Sequence, residues 1–185
     1  MRIWDINPGY LNKQSLLAEH RELHEIVSFI MNRKKDYSKL PEMLRWLDYG
    51  WALTTRHSLL AAEMELRNYR ECSSVNLHTN EGLWPPVYID QPSAQFQVLS
   101  EKYRSTDKGR IKLPRTGQEL WRHHKYSIMA RDIGMYKEIG RKAAKMHPKD
   151  DFSELLCLRL LYGFQATDSL MVHSRPLEPD AANSR

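Results

Sequence analysis

The hydrophobic positions along the chain repeat at three- and four-residue spacing, so the sequence reads as a set of amphipathic helices. From Gln14 to about Arg33, residues Leu16, His20, Leu23, Val27 and Ile30 fall on one stripe, with no glycine or proline to interrupt it. Asn12 or Ser15 is placed to cap its start. A second strong helix is expected from Trp51 to Tyr69, burying Leu53, His57, Leu60 and Met64 and leaving Arg56, Glu63 and Arg67 off the stripe. Shorter helices are expected at Glu42–Leu47 and over 93–104, and helical patterns return at Gly117–Asp132, Met135–Met146 and Asp150–Phe164. Between them lie an irregular opening with a turn at Pro8 and Gly9, a polar connection over 33–41, a long loop over 71–92, and a basic linker over 108–117. The fold expected is mainly α: a compact single-domain helical bundle with long irregular loops. Its helical domain spans residues 1–164, and 165–185 form a disordered polar tail.

Composition narrows the class. At 185 residues, 41% hydrophobic and 28% charged, the chain has the profile of a globular protein with a genuine core. No apolar run is long enough for a membrane span, and MRIWDINPGY lacks the layout of a secretory signal. Cys72 and Cys157 are too few for a disulfide framework. The expected location is cytoplasmic, in association with the nucleoid, and the expected state is a monomer.

The net charge of +5 is unevenly spread. Residues 1–100 carry 11 Lys/Arg against 12 Asp/Glu, residues 101–149 carry 14 against 5, and residues 150–185 carry 3 against 6. A concentrated basic segment suits a polyanion, because each neutralised phosphate releases counterions. Within it, ELWRHHKYSIMARD interleaves Trp121 and Tyr126 with Arg122, His123, His124 and Lys125. Aromatic faces can stack on bases while cations hold phosphates, although the same spacing suits an ordinary amphipathic helix. Arg122 and Lys125 are the DNA-binding candidates of this segment.

Two further groups bear chemistry. An α-amine titrates at about 7.7–8.0, so part of it is neutral and nucleophilic at pH 7. Arg2 is too large to favour removal of the initiator methionine, so the mature amine is expected to be that of Met1. In AEHRELHEI, residues 18–26, Glu22 lies at the border of the apolar stripe with Glu19 nearer to it, and a half-shielded carboxylate there suits proton transfer. His20 and His24 share a helix face at i,i+4, but H-x-E-x-H is not the zinc-protease pattern and no third ligand is evident. His20 reads as a core histidine, and no metal site is assigned.

QSLLAEHRELHEI resembles the segment of phage endonuclease V-type pyrimidine-dimer DNA glycosylases that carries their catalytic glutamate. The opening MRI and the stretch RHSLLAAEMELRNY are similar to that family in the same order, and WDINPGYLNKQSL resembles its longer bacterial members. The resemblance covers residues 1 to about 70. It implies a helical DNA glycosylase/lyase-like domain in which the Met1 amine attacks the sugar C1′ of a damaged nucleotide in double-stranded DNA, forming a Schiff base. Glu22 would be the essential carboxylate, and Arg2 and Arg21 would hold DNA near the lesion. It implies no cofactor. Glu25 stands where the phage-type enzymes have a phosphate-binding arginine, and Ser15 replaces a histidine, which leaves the preferred lesion open. The competing readings are a non-catalytic helical DNA-binding protein of the same fold and, more distantly, a metal-dependent nuclease using His20 and His24.

Overall fold

The computed structural model describes residues 1–32, 40–71, 73–147 and 150. Among them are six α-helices and no strand: α1 (Lys13–Asn32), α2 (Pro41–Trp46), α3 (Gly50–Leu66), α4 (Pro92–Lys102), α5 (Gly117–Arg131) and α6 (Ile133–Lys145). The mainly α expectation is met. No described helix is long and apolar enough to cross a membrane. Apart from Asp150, the helix expected at Asp150–Phe164 lies outside the described residues, as do the tail 165–185 and most of the connection 33–41.

Helix α1 starts where Asn12 caps it, its side-chain oxygen accepting from the Ser15 N–H at 2.9 Å. It packs against α3, and Leu16, Leu23, Ile26, Leu53 and Leu60 are fully buried in one apolar core. Helices α5 and α6 pair as a hairpin in which Trp121 lies 5.2 Å from Tyr136 and close to Gly140. Trp121 therefore serves packing, whereas Tyr126 is exposed. The hairpin meets the body at Tyr10, on the 3-10 turn Pro8–Tyr10, whose hydroxyl bonds the Nε2 of buried His124 at 2.8 Å. The basic linker closes on this turn through Ile111 N–H to the Gly9 carbonyl at 2.7 Å. Gly109 is required here, because a Cβ would meet the Tyr10 carbonyl oxygen at 2.2 Å.

The stripe read for α3 is observed, with Leu53, His57, Leu60 and Met64 buried. Two residues placed off it are also buried. Arg56 is wholly enclosed and Glu63 nearly so. Burial of these charges is offset by partners from distant segments. Arg56 forks onto Glu19 (2.7 and 2.8 Å) and donates to the Ile6 carbonyl at 2.7 Å. Glu63 takes bonds from Arg67 (2.8 Å) and Arg110 (2.9 and 2.7 Å). Arg110 is thus one member of the basic segment committed to a partner inside the protein.

The long loop after α3 is irregular but well bonded. Thr79 accepts from the N–H groups of Gly50 and Trp51 at the start of α3, and Leu77 exchanges bonds with the Thr54 hydroxyl. The chain turns back through Asn80 and Gly82, both at positive φ. This course lays the loop along α3 and carries Glu71 and Trp84 inward.

Candidate active site

The first five residues run extended, and four successive N–H groups are each taken by a different side chain. An extended backbone turns alternate N–H groups to opposite sides. Arg2 and Trp4 face α1, where Arg2 N–H donates to Glu22 and Trp4 N–H donates to Glu19 at 3.0 Å. Glu19 and Glu22 are three apart, hence neighbours on one helix face. Ile3 and Asp5 face the other way, donating to Glu42 on α2 (3.2 Å) and Gln95 on α4 (2.8 Å). The segment is held on both sides by helices.

The receivers are themselves fixed. Glu42 also accepts from the Trp46 indole (2.9 Å) and Arg45 (3.3 Å). Asp5 binds Arg45, the Trp84 indole (3.1 Å) and the Gln95 amide (3.0 Å). Burial pushes the carboxyls of Glu19 and Glu42 up. Arg56 and the Trp4 N–H oppose that push at Glu19, and Trp46, Arg45 and the Ile3 N–H oppose it at Glu42. Such a network gives the terminus one position.

That position sets the Met1 amine 3.8 Å from Glu22 Oε1, the separation the amine–carboxylate reading requires. Glu22 is half-buried at the helix border, and Met1 is exposed. One carboxylate oxygen thus binds the backbone while the other faces an amine that solvent and a substrate can reach. The sequence reading missed why the two meet: Glu19 is the deep anchor one turn before, and Glu42 and Gln95 complete the grip.

The other candidates are placed as follows. The Arg2 guanidinium lies over the Trp4 ring at 4.8 Å and pairs with Asp90 from the loop, so its charge is already partnered. Arg21 is exposed and lines an open groove of ≈ 600 Å³ with His20, His24, Glu25, Phe29 and Met43. Arg122 is exposed and Lys125 half-buried on α5, the latter 4.8 Å from the Tyr126 ring. They sit on the hairpin that docks at Tyr10, a different element from the Met1–Glu22 pair. Ser15 accepts from Lys102 at 2.8 Å.

Two sequence readings need correction. His20 is not at the centre of the buried stripe; Glu19 and Leu23 occupy it, and His20 is only half-buried beside α3. The i,i+4 histidines also have further potential ligands close by, because His57 of α3 and Glu71 converge on them. Burial pushes the His20 and His57 imidazoles down; burial also pushes the Glu71 carboxyl up, but Ser73 and the histidines hold it below the usual range.

Among known proteins, residues 1–77 match the family model of the pyrimidine dimer DNA glycosylases. No curated protein and no solved structure matches the chain. The matched residues hold the amine, Glu19, Glu22, Glu42 and Arg56, and lack Asp90, Gln95 and the α5–α6 hairpin. The likeness to the pyrimidine dimer DNA glycosylases spans residues 1–77 of 185, less than half of the chain.

Proposed function

We propose that the protein is a DNA glycosylase with AP-lyase activity on pyrimidine dimers or a related base lesion, working through a Schiff base on the Met1 amine. The observation that carries this reading is the 3.8 Å approach of the amine to Glu22. The neutral amine attacks C1′ of the damaged nucleotide, and the base departs with the glycosidic electron pair. Opening of the sugar ring leaves an iminium between Met1 and C1′, an electron sink that acidifies the C2′ proton. Glu22 stabilises the developing cation, then takes that proton. The electrons flow toward the iminium as the 3′ C–O bond breaks and the phosphate leaves. Water finally releases the sugar from the amine.

Access to C1′ within a duplex requires a kinked, unstacked site, at a cost of a few kcal/mol that is smaller at a damaged step. Arg21 stands closest in sequence to Glu22, and Arg122 and Lys125 supply phosphate contacts on the hairpin. Glu25, one turn from Arg21 in the same groove, weakens the field there and favours a footprint different from that of the phage-type enzymes.

Glu22→Gln tests the assignment. The amide oxygen still accepts from the Arg2 N–H, so the fold is retained while the base is lost. Strand cleavage of a duplex carrying one thymine dimer should fall by about 10²–10⁴-fold. Unchanged cleavage by folded Glu22→Gln would remove Glu22 from the mechanism.

A further inference from the structure

The His20–His24 pair does not stand alone. Helix α1 presents both imidazoles on one face, α3 brings His57 beside them, and the chain leaving α3 folds Glu71 over the three. Ring centroids are 4.6, 4.9 and 5.2 Å apart, and one ligand atom from each of the four residues lies within 4.8 Å of all the others. The Nε2 atoms of His20 and His24 are 3.3 Å apart. Tetrahedral zinc, with Zn–N bonds of about 2.0–2.1 Å, sets its ligand atoms about 3.3–3.4 Å apart. His20 Nε2 pairs directly with Glu71 Oε2, His57 and His24 stand 3.8 and 4.0 Å from Glu71 Oε1, and separations of up to 4.8 Å within the set contract when one ion is held by all four.

Two observations point to a ligand at this cluster. His57 Nε2 is buried, aimed into the cluster, and has no hydrogen-bond partner. Glu71 is oriented by Ser73, whose N–H and hydroxyl donate to it at 2.7 and 2.8 Å, as carboxylate ligands commonly are. Three imidazoles and one carboxylate suit a borderline ion of the zinc class and not magnesium or calcium, which take oxygen.

We propose that His20, His24, His57 and Glu71 bind one divalent transition-metal ion of the zinc class, as a structural clamp joining α1, α3 and the chain that follows. All four positions come from the protein, which is the closed arrangement of a structural ion. His20 and His24 each lie two residues from Glu22, a turn of about 200° on a helix. The ion is therefore on the far side of α1 from the amine, and it acts on fold rigidity instead of on the reacting sugar. The proposal stands independently of the glycosylase reading.

The test uses untagged full-length protein, stripped with a chelator and titrated with Zn²⁺ by calorimetry and with Co²⁺ by visible absorption. One equivalent binds, Co²⁺ gives the intense bands of tetrahedral coordination, and saturating Zn²⁺ raises Tm by about 5 °C or more. His57→Asn weakens binding by about 100-fold or more, estimated above the 10–100-fold typical of lost outer-shell partners. His123→Ala, outside the cluster, leaves binding unchanged. Should His57→Asn fail to fold, His24→Gln with Glu71→Gln carries the same expectation at less buried positions. No stoichiometric binding, or binding that survives the ligand substitutions, would overturn the site.

Discussion

Replacing Arg56 with methionine separates the deep anchor of the terminus from the rest of the core. The substitution keeps the length of the side chain but deletes three hydrogen bonds, two to Glu19 and one to the Ile6 carbonyl. Glu19 is left fully enclosed and holding only the Trp4 N–H among these partners. Breaking a buried ion pair from one side costs about 3–5 kcal/mol, against a total stability of about 5–15 kcal/mol for a domain. Adding Glu19→Met removes the stranded charge. The remaining loss is then the orphaned Trp4 N–H and Ile6 carbonyl, about 1–3 kcal/mol each. Urea unfolding of the wild type, both single variants and the double variant measures the coupling. The single losses should exceed the double loss, when summed, by about 2 kcal/mol or more.

The cycle has a pH signature. Burial pushes the Glu19 carboxyl up, and in Arg56→Met the guanidinium no longer opposes it. Folded Glu19 then binds its proton more tightly than the unfolded chain, which titrates near 4.5. Stability of this variant falls as pH rises above that value and recovers as pH drops toward it. Additivity within about 0.5 kcal/mol, or a loss independent of pH, would mean that this pair does not anchor the N-terminal segment.

Two further outcomes follow from the same geometry. Burial, aided by His123 and Arg131, pushes the His124 imidazole down to about 4 from 6.5, so His124 folds neutral. Its contribution is fully present above pH 6.5 and is lost as pH falls toward 4, by about 3 kcal/mol at most. His124→Gln should flatten the acid limb of the urea-midpoint profile, and an unchanged limb would contradict it. Asp90→Asn removes the partner of Arg2 and frees that guanidinium for a phosphate. DNA binding measured across salt concentrations should tighten, with a slope steeper by about 0.9, and an unchanged slope would place Arg2 outside the footprint.

The helices were legible because their apolar periods are uninterrupted: Leu53, His57, Leu60 and Met64 mark the face of α3 without help from tertiary context. Arg56 and Glu63 defeated the reading because their charge argued for solvent, while Glu19, 37 positions from Arg56, and Arg110, 47 from Glu63, make burial tolerable. No local pattern carries that information. Glu22 was legible through its helix-border position and the family resemblance, and Glu19 was correctly placed nearer the stripe. The resemblance paired Met1 with Glu22 in one mechanism, but whether the two meet was hidden in the sequence, since Glu42, Asp90 and Gln95 come from α2, the loop and α4. The His20–His24 pair was visible at i,i+4, whereas His57 and Glu71 join it only once α3 packs on α1 and the chain leaving α3 turns back. The expectation that the aromatic residues of α5 interleave with cations divides. Trp121 packs on Tyr136, and Tyr126 remains at the surface.

The central claim is that the Met1 amine is the nucleophile, and borohydride trapping tests it most directly. Protein with a free N-terminus and protein with that amine acetylated, both shown to be folded, are incubated with a duplex carrying one thymine dimer and with one carrying an abasic site. A covalent protein–DNA adduct is expected for the free amine and none for the blocked one, with the sugar carbon mapped to residue Met1. An adduct that forms equally well on the acetylated protein, or none from the free-amine protein on either duplex, would contradict that claim.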